Sequence, residues 1–425
     1  MKKPGFNPYL PSWEYIPDGE PHVFGDRVYV YGSHDRFNGW EFCQNDYVCW
    51  SAPVSDLTDW RYEGVIYPRN ADPRNTDGEQ CLFAPDVTKG PDGRFYLYYC
   101  LNRETVVSVA VCDEPAGLYS FLGYVRHADG TPLGEREGDE FQFDPGVLTE
   151  GDATYLYTGF CPEGVPGRTG SMCTVLGPDM LTIRGEPRFV APGPNTVSGT
   201  SFEGHAFFEA SSIRKVGDTY YFVYSSVWNH EMCYATSSSP TEGFVFRGVI
   251  VSNIDNGIDT YKEVSQPMGY RDNNHGGFEC IGGRWYMFYH RHTNNYSFSR
   301  QGCLEPITIL EDGTIPQVEM TSCGPNGRPL PGEGYYPAWT ACIVYRENEG
   351  GPIGPAFPGC KKDSRNPYIT QEGTDGDERE GYIENMMPGA MAGFKYFACS
   401  GTRLTGIRMR YTADMGGRLE VALSP

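Results

Sequence analysis

The chain has 425 residues and a formal net charge of −21, from 34 Lys and Arg against 55 Asp and Glu. Aromatic residues make up 14% of the chain, which excludes a disordered protein and supplies apolar surface for a large core. No basic patch is visible, so nucleic acid and anionic membranes are excluded as partners. A neutral ligand such as a small oligosaccharide is compatible with this charge, although the acidity is explained equally well by solubility alone.

The N-terminus and the cysteines bear on the cellular compartment. The opening segment MKKPGFNPYLPSWEYIPDGEP has two lysines with no apolar segment behind them, so it is not a secretory signal. No apolar run approaches the ~20 residues of a membrane helix. If this is the native start, we expect a cytoplasmic protein. The 14 cysteines form no Cys-x-x-Cys pair and no cluster with zinc spacing, so we expect them to be reduced and mostly buried.

Five segments share a two-residue turn followed by a strand of aromatic and β-branched residues. In chain order they are GDRVYVYGS from Gly25, DGRFYLYYC from Asp92, GDATYLYTG from Gly151, GDTYYFVYSS from Gly217 and GGRWYMFYH from Gly282. Each has a tyrosine at its fifth position, and the steps between these tyrosines are 67, 59, 66 and 65 residues. Five all-β units of this length predict a five-bladed β-propeller with about four strands per blade. A β-sandwich would not repeat this signature at a fixed interval.

A polar side chain precedes each of these strands at nearly the same distance. In a propeller blade the turn-plus-tyrosine segment is the second strand, so the innermost strand lies just before it. Stepping back 10 to 12 residues from each tyrosine reaches Asp18, Asp86, Asp144, Glu209 and His275. Radial repetition would place these five in a ring around one axis, and we call them the polar ring. The alternative is that each of them caps a turn on its own.

Clustered carboxylates in a dry pocket suit the hydrolysis of glycosidic bonds. Burial and like charges raise the pKa of one carboxyl group and leave another low. The first group can then protonate a leaving oxygen while the second takes a proton from the attacking water. Opposite sides of a propeller mouth suit the wide separation of ~6.5–9.5 Å found in inverting enzymes.

The chain resembles glycoside hydrolase family 43 from about residue 5 to 320. The resemblance is carried by NPYLPSWEYIPDGEPHVFGDRVYVYGSHD, LFAPDV, FFEASSIRK and NNHGGFECIGGRWYMFYHR, in that order. It implies a five-bladed propeller over residues 1–322 and an inverting mechanism. It also implies that Asp18 is the general base, that Asp86 orients the acid and raises its pKa, and that Glu209 is the general acid. Phe83 in LFAPDV departs from the family, which often has Trp there, but it keeps an aromatic face.

Further roles follow from the same resemblance. His275 in NNHGG matches a histidine that faces a hydrated calcium on the channel axis in many members, and the alternative is a hydrogen-bonded channel histidine. Arg291 in YHRH resembles an arginine that reaches sugar hydroxyls, and the alternative is a rim salt bridge. Asp144 in FDPGV is expected only to line the channel.

Four more side chains lie beside the predicted inner strands and are candidate pocket walls. Aromatic faces stack on sugars, so these side chains are candidate substrate contacts or, equally, core residues. They are His34, Trp40, His205 and Trp228.

The chain changes character after about residue 320. CGPNGRPLPGEGYYP and EGGPIGPAFPGC are Gly- and Pro-rich connectors. Residues 366 onward resemble the N-terminal half of a family 6 carbohydrate-binding module. We therefore expect residues 323–425 to form a connector and a small, partial β-sandwich that packs on the propeller.

These observations favour an exo-acting α-L-arabinofuranosidase that trims arabinose-decorated xylo- or arabino-oligosaccharides. A β-xylosidase on the same scaffold is the first alternative, because the two sugars present similar faces. A propeller that only binds glycans and a five-bladed phosphorylase are further alternatives. The sequence carries no information on the oligomeric state.

Overall fold

Five antiparallel sheets follow one another along the chain and form the blades of a propeller. The computed structural model describes residues 5–346 and 366–399, together with 406, 408–412, 418 and 420–422. Blades 1 to 4 have four strands each and blade 5 has three, all paired in chain order. The strands of blades 1 and 2 are β1 (Glu20–Phe24), β2 (Arg27–Tyr31), β3 (Tyr47–Pro53), β4 (Arg61–Tyr67), β5 (Leu82–Lys89), β6 (Phe95–Leu101), β7 (Ser108–Cys112) and β8 (Ser120–Tyr124).

The remaining blades repeat this meander. Their strands are β9 (Gly146–Glu150), β10 (Ala153–Thr158), β11 (Gly170–Leu176), β12 (Arg188–Pro192), β13 (Phe207–Val216), β14 (Thr219–Ser226), β15 (Glu231–Ser237), β16 (Val245–Ser252), β17 (Phe278–Ile281), β18 (Arg284–His292) and β19 (Arg300–Ile307). The predicted five-bladed, all-β architecture is confirmed. A parallel bridge between Gly19 and Gly276 joins the first and last blades and closes the ring.

Each predicted turn-plus-tyrosine segment is the second strand of its blade. The turns between first and second strands are tight because their glycines adopt the left-handed conformation that other residues avoid. The φ angles of Gly25, Gly151, Gly217 and Gly282 are 68°, 59°, 60° and 60°. The alternation of these strands then sends every second side chain to the same face of its sheet.

The apolar core is divided among the five interfaces between neighbouring blades. Each interface has its own cluster of buried aromatic and aliphatic side chains, and one repeated tyrosine packs into each. Tyr29 packs between blades 1 and 2, Tyr96 between 2 and 3, Tyr155 between 3 and 4, Tyr221 between 4 and 5, and Tyr286 between 5 and 1. The tyrosine repeats in the sequence because each blade uses it to pack against the next blade.

The C-terminal residues form short strand pairs that pack on the propeller. They are β20 (Leu330–Pro331) with β25 (Phe397–Ala398), β21 (Ile343–Arg346) with β24 (Ala390–Gly393), and β22 (Tyr368–Thr370) with β23 (Tyr382–Glu384). The predicted sandwich stays a prediction, because 347–365 and most residues after 399 lie outside the described residues. The boundary between 1–322 and 323–425 likewise stays a prediction.

Helical structure in the described residues is limited to three single 3₁₀ turns, Arg69–Ala71, Gly324–Asn326 and Ala338–Thr340. None of the helices described here has the length and apolar character needed to cross a bilayer. Ten of the thirteen described cysteines are buried and none of the thirteen forms a disulfide, as expected.

Candidate active site

Members of the polar ring from four different blades meet at one end of the propeller axis. The charges of Glu209 and Asp18 both act on Asp144, and Nδ1 of His275 lies 3.6 Å from Oδ2 of Asp144. The backbone is strained at this end, because Asp18 and Asp144 have φ angles of 58° and 44°. Aspartate tolerates this left-handed conformation better than most residues, and such strain concentrates at functional sites.

Asp18 lies two residues before the start of β1 and is held as an anion. It is buried, and its Oδ1 accepts a hydrogen bond of 3.0 Å from Nη1 of Arg300. Nδ1 of His290 lies 3.3 Å from both the backbone nitrogen and Oδ1 of Asp18. Burial alone would raise the pKa of Asp18, but the charge of Arg300 and the His290 contact outweigh it and hold this pKa well below its usual range.

Arg300 is itself fixed by a second aspartate. Its Nε and Nη2 donate to the two carboxylate oxygens of Asp35 at 2.8 and 2.9 Å, and the Asp35 carboxylate also receives the Arg300 backbone N–H. The guanidinium lies 4.8 Å from the ring centre of Phe42. This bidentate pair aims the remaining nitrogen at Asp18. Neither Arg300 nor Asp35 was predicted from the sequence as a site residue.

Glu209 lies on β13 where the strand is irregular. The pairing with β14 shifts register on both sides of Glu209, and Ala210 has a φ of 69°. Bulges of this kind redirect a side chain. The carboxylate is half-buried and accepts no hydrogen bond among the described residues. Burial and then the charge of Asp18 raise the pKa of Glu209 to about 8, against the opposing charge of Arg300.

Asp144 connects blade 3 to the Glu209 bulge. Its Oδ2 accepts a hydrogen bond of 3.1 Å from the backbone N–H of Ala210, the residue after Glu209. Burial and the charges of Glu209 and Asp18 raise the pKa of Asp144 well above its ordinary value. Asp144 therefore both supports the strained backbone beside Glu209 and shares its electrostatic environment.

Asp86 has a different environment from the one predicted. It lies within β5, where both carboxylate oxygens are used: Oδ1 contacts His22 at 2.6 Å and the Val87 N–H, and Oδ2 accepts the Val147 N–H at 2.7 Å. These bonds tie blades 1, 2 and 3 together. The predicted role beside the acid is corrected on this geometry, because the carboxylate that contacts the Glu209 segment is Asp144.

Arg291 also lies elsewhere than predicted. Its guanidinium is buried and donates to Gln301 Oε1 and to the carbonyl oxygens of Trp339 and Ala341. It thereby binds blade 5 to the C-terminal residues, and four of its five N–H groups are used there. This placement argues against the predicted sugar contact. Arg300, one strand further on, has the position next to Asp18.

Aromatic side chains from blades 2, 3 and 4 form a continuous wall beside these carboxylates. The rings of Phe83 and Phe143 are 5.6 Å apart, those of Phe143 and Phe160 5.1 Å, and those of Phe160 and Phe208 5.3 Å. All four are half-buried, so each ring keeps an exposed part. Phe143 precedes Asp144 and Phe208 precedes Glu209. Phe83 thus lies among other partly exposed aromatic rings, and sugar contact by Phe83 stays a prediction.

The two histidines that were predicted to line the pocket each contact a neighbouring glutamate. Nε2 of His34 lies 3.0 Å from Glu14, whose charge outweighs the effect of burial and raises the pKa of His34 to about 9. Nδ1 of His205 lies 2.6 Å from Glu231, and its ring stacks on Phe246. Substrate contact by either histidine stays a prediction.

The two tryptophans that were predicted to line the pocket have unusually exposed side chains. Trp40 is 56% exposed and Trp228 is 48% exposed, which sets them apart from the buried aromatic core. The indole N–H of Trp228 donates to the carbonyl of Gly204 at 2.7 Å, and Arg271 lies over its ring. Exposed aromatic rings at these positions fit stacking on sugar, which stays a prediction.

An ion pair crosses the axis between blades 1 and 4. Arg214 on β13 donates from Nη2 to Oε2 of Glu20 on β1 at 3.0 Å, and Ser212 donates to the same oxygen at 3.1 Å. Blade 5 has a glycine, Gly277, next to this pair. The Cβ atom of any other residue there would lie only 2.4 Å from Glu20 Oε2. Three blades therefore meet at the axis through one buried carboxylate.

The comparison with known families agrees with this arrangement. The profile described as "Glycosyl hydrolases family 43" matches residues 16–315, about seven-tenths of the chain. The chain belongs to this family. It is thus a family 43 glycoside hydrolase, whose matched region covers all five blades.

Relatives of this family 43 chain are similar over most of its length. A "Xylosidase/arabinosidase" of Thermoclostridium stercorarium is 64% identical over 410 residues, which are 96% of this chain and 86% of the relative. A "Xylosidase/arabinosidase" of Bacteroides ovatus is 27% identical over 317 residues, 66% of this chain and 87% of the relative. A family 43 β-xylosidase/α-arabinofuranosidase from a compost metagenome, solved with xylotriose in a calcium-free form, shares the fold with a TM-score of 0.58 at 23% identity, covering 75% and 98% of the two chains.

The side chains near the axis permit only a largely hydrated calcium in this family 43 chain. Nε2 of His275 is buried and has no hydrogen-bond partner among the residues that the structure describes. The two groups of described side chains that could hold a metal are Glu20, His22 and Asp86, and His205, Glu231 and Cys233, and neither includes His275. Calcium prefers oxygen ligands, so an ion facing His275 would take most of its ligands from water.

Proposed function

We propose that this family 43 chain is an inverting exo-glycosidase that removes terminal α-L-arabinofuranosyl and β-D-xylosyl groups from short xylan-derived oligosaccharides. The proposal is carried by two interacting carboxyl groups, Asp18 and Glu209, whose surroundings shift their pKa values in opposite directions. The pKa of Asp18 is held low and that of Glu209 is raised to about 8. At neutral pH one carboxyl group is therefore a base and the other an acid, as glycoside hydrolysis requires.

Glu209 is assigned as the general acid. Its protonated carboxyl group gives its proton to the glycosidic oxygen as the bond to the anomeric carbon breaks. The half-buried carboxyl group accepts no hydrogen bond from the described part of the chain, so its proton is available to a substrate oxygen. The residue is directed at the pocket by the β13 bulge.

Asp18 is assigned as the general base. It takes a proton from the water that attacks the anomeric carbon on the face opposite to the leaving group, which inverts the configuration. The contact with Arg300 keeps Asp18 ionised, and the strong Arg300–Asp35 pair keeps that contact in place.

Asp144 and His275 are assigned supporting roles. Asp144 positions the acid through the Ala210 N–H. A hydrated calcium facing His275, when bound, would add positive charge at the base of the pocket. No proton transfer depends on it.

The substrate class rests on the relatives and on the phenylalanine wall. Both relatives described above carry the name xylosidase/arabinosidase, and the more similar one matches nearly the whole chain. The edges of pentose rings present C–H groups that pack against aromatic faces, and Phe83, Phe143, Phe160 and Phe208 supply such faces. Both sugars are therefore included in the proposal.

A panel of nitrophenyl glycosides followed by proton NMR tests the proposal. We expect turnover of the α-L-arabinofuranoside and the β-D-xyloside, with the β-anomer of arabinose and the α-anomer of xylose appearing first. Appearance of the retained anomers would overturn the assignment of Asp18. Binding of xylo-oligosaccharides without any turnover would favour a glycan-binding propeller, and activity that rises with added phosphate would favour a phosphorylase.

A further inference from the structure

The C-terminal residues 366–384 lie across two loops of the propeller next to Asp18 and Arg300. We call this segment, which contains β22 and β23, the C-terminal strap. One loop, residues 34–45, follows β2 and carries Asp35. The other, residues 293–299, joins β18 to β19 and leads directly into Arg300.

The strap binds loop 34–45 mainly through Asp375. One carboxylate oxygen accepts the backbone N–H of Phe37 at 2.7 Å, and the other accepts the Asn45 side-chain N–H at 3.0 Å. Asn45 Nδ2 also lies 3.1 Å from the carbonyl oxygen of Asp35. Asn45 thus connects Asp375 to Asp35, the aspartate that holds Arg300.

The strap binds loop 293–299 through its own backbone and Thr370. The carbonyl oxygen of Ile369 accepts the Asn294 N–H at 2.6 Å, and Thr370 Oγ1 donates to Asn294 Oδ1 at 2.9 Å. Asn294 in turn donates to Asn38 in the first loop at 2.9 Å. The two loops and the strap therefore form one connected unit.

A third contact reaches the segment just before Asp18. The hydroxyl group of Tyr15 donates to Oε1 of Gln371 at 2.9 Å, and the Tyr15 ring stacks on Phe37 at 5.5 Å with an angle of 15° between the planes. Charge-assisted hydrogen bonds such as those of Asp375 are the strong ones in such a network. These contacts leave loop 34–45 few alternative arrangements.

We propose that the C-terminal strap is a positioning element of the hydrolytic site: Asp375 fixes loop 34–45 so that Asp35 holds Arg300 against Asp18. Asp375 does not touch substrate and is a positioning residue. This proposal rests on the assignment of Asp18 as the base, but the link from strap to Arg300 is a property of the protein alone and is measurable without substrate.

Amide hydrogen exchange of Asp375→Ala measures that link. Three backbone N–H groups mark the path: Phe37, which donates to Asp375, and Cys43 and Arg300, which donate to Asp35. Loss of a hydrogen bond to a charged group should increase the exchange rate of the donating amide by roughly 10-fold or more. We therefore expect faster exchange at all three amides. Faster exchange at Phe37 alone, with Cys43 and Arg300 unchanged, would overturn the proposal.

Activity measurements supply the second readout. With the strap loosened, Arg300 contacts Asp18 less often, so the pKa of Asp18 rises and the acidic limb of kcat/KM moves to higher pH. Besides Arg300, His290 contacts Asp18, and His275, Asp144 and Glu209 also interact electrostatically with it. We expect kcat to fall roughly 10- to 100-fold, with a smaller change in KM, because misplacement by ~1 Å has effects of this size. An unmoved acidic limb and unchanged kcat would contradict the proposal.

Two further variants serve as controls. Glu372→Gln changes a strap residue whose contact is with Tyr382 inside the strap, so exchange at Arg300 and the pH profile should stay as in the wild type. Asp375→Asn keeps one oxygen as an acceptor for the Phe37 N–H and should recover part of the loss. If the wild type hydrolyses neither sugar, the proposed function fails, while exchange at Cys43 and Arg300 still decides the positioning role.

Discussion

Arg300 donates a hydrogen bond of 3.0 Å from Nη1 to Oδ1 of Asp18, and both side chains are buried. The remaining edge of the guanidinium is held by Asp35. A buried carboxylate normally gains a proton more readily, so this contact is what keeps Asp18 able to accept one.

Arg300→Lys should raise the pKa of Asp18. Lysine carries the charge but cannot bind Asp35 and Asp18 with one planar fork, so the positive charge is less well placed. A base must be ionised to act, so the acidic limb of kcat/KM should move to higher pH and the rate at neutral pH should fall by roughly 10-fold or more. A pH–rate profile on the arabinofuranoside measures this, and an acidic limb identical to that of the wild type would contradict it.

Glu209→Gln and Asp18→Asn should differ in their dependence on the leaving group. A nitrophenolate leaves without protonation, whereas an alkyl alcohol from an oligosaccharide needs the acid. Loss of a general acid or base typically costs ~10²–10⁴-fold. We expect Glu209→Gln to lose far more activity on xylobiose than on nitrophenyl xyloside, and Asp18→Asn to lose activity on both. Equal losses for Glu209→Gln on the two substrates would argue against its role as the acid.

Asp144→Asn should leave the alkaline limb close to its wild-type position. The wild type should lose activity as the pH rises through about 8, where Glu209 gives up its proton. The pKa of Asp144 is raised well above its ordinary value by burial and by the charge of Glu209, so Asp144 is still protonated while Glu209 titrates. Asparagine therefore removes no charge, and it keeps an acceptor for the Ala210 N–H. A pH–rate profile measures the position of the limb, and a shift to lower pH would show that Asp144 is charged beside Glu209.

The propeller was predictable from the sequence, whereas the assignment of Asp86 and Arg291 was not. The turn and tyrosine recur because each blade contacts the next in the same way. Asp86 and Asp144 lie at almost the same distance before their tyrosines, yet Asp86 is inside its strand and Asp144 ahead of its strand with a left-handed backbone. That difference depends on local register, which spacing in the sequence does not reveal.

The sequence pointed to Arg291, whereas Arg300 is the arginine next to Asp18, and this error has a similar cause. Successive strand residues point to opposite faces, so His290 faces Asp18 while Arg291 faces the C-terminal residues. Arg300 pairs with His292 and Gln301 with Arg291, so Arg300 shares the face of His290 and His292. The alternation would have pointed to Arg300, but only if the first residue of β19 had been known.

Arg291→Met should therefore affect stability and not the reaction. It leaves the buried carbonyl oxygens of Trp339 and Ala341 without donors, which should lower the free energy of unfolding by roughly 2–5 kcal/mol. Urea unfolding measures the loss, and kcat/KM per folded molecule should stay close to that of the wild type. A large rise in KM with unchanged stability would restore the original prediction of a sugar contact.

Lys395→Met should loosen the attachment of the C-terminal residues to the propeller. Lys395 is buried and binds Asp255 at 2.7 Å and Glu319 at 3.0 Å. Removal of one partner of a buried ion pair typically costs ~3–5 kcal/mol. The control Arg94→Met breaks an exposed pair with Asp92 and should change little. Equal unfolding free energies for the two variants would contradict this account.

The Glu20–Arg214 pair across the axis has a consequence for how the protein works as a catalyst. Glu20 and Arg214 are both buried where blades 1 and 4 face each other. We therefore expect substrate to enter and product to leave on the same side of this pair, so that the released monosaccharide leaves before the next chain end enters. Arabinose or xylose should therefore compete with fresh oligosaccharide, and turnover should slow as the product accumulates.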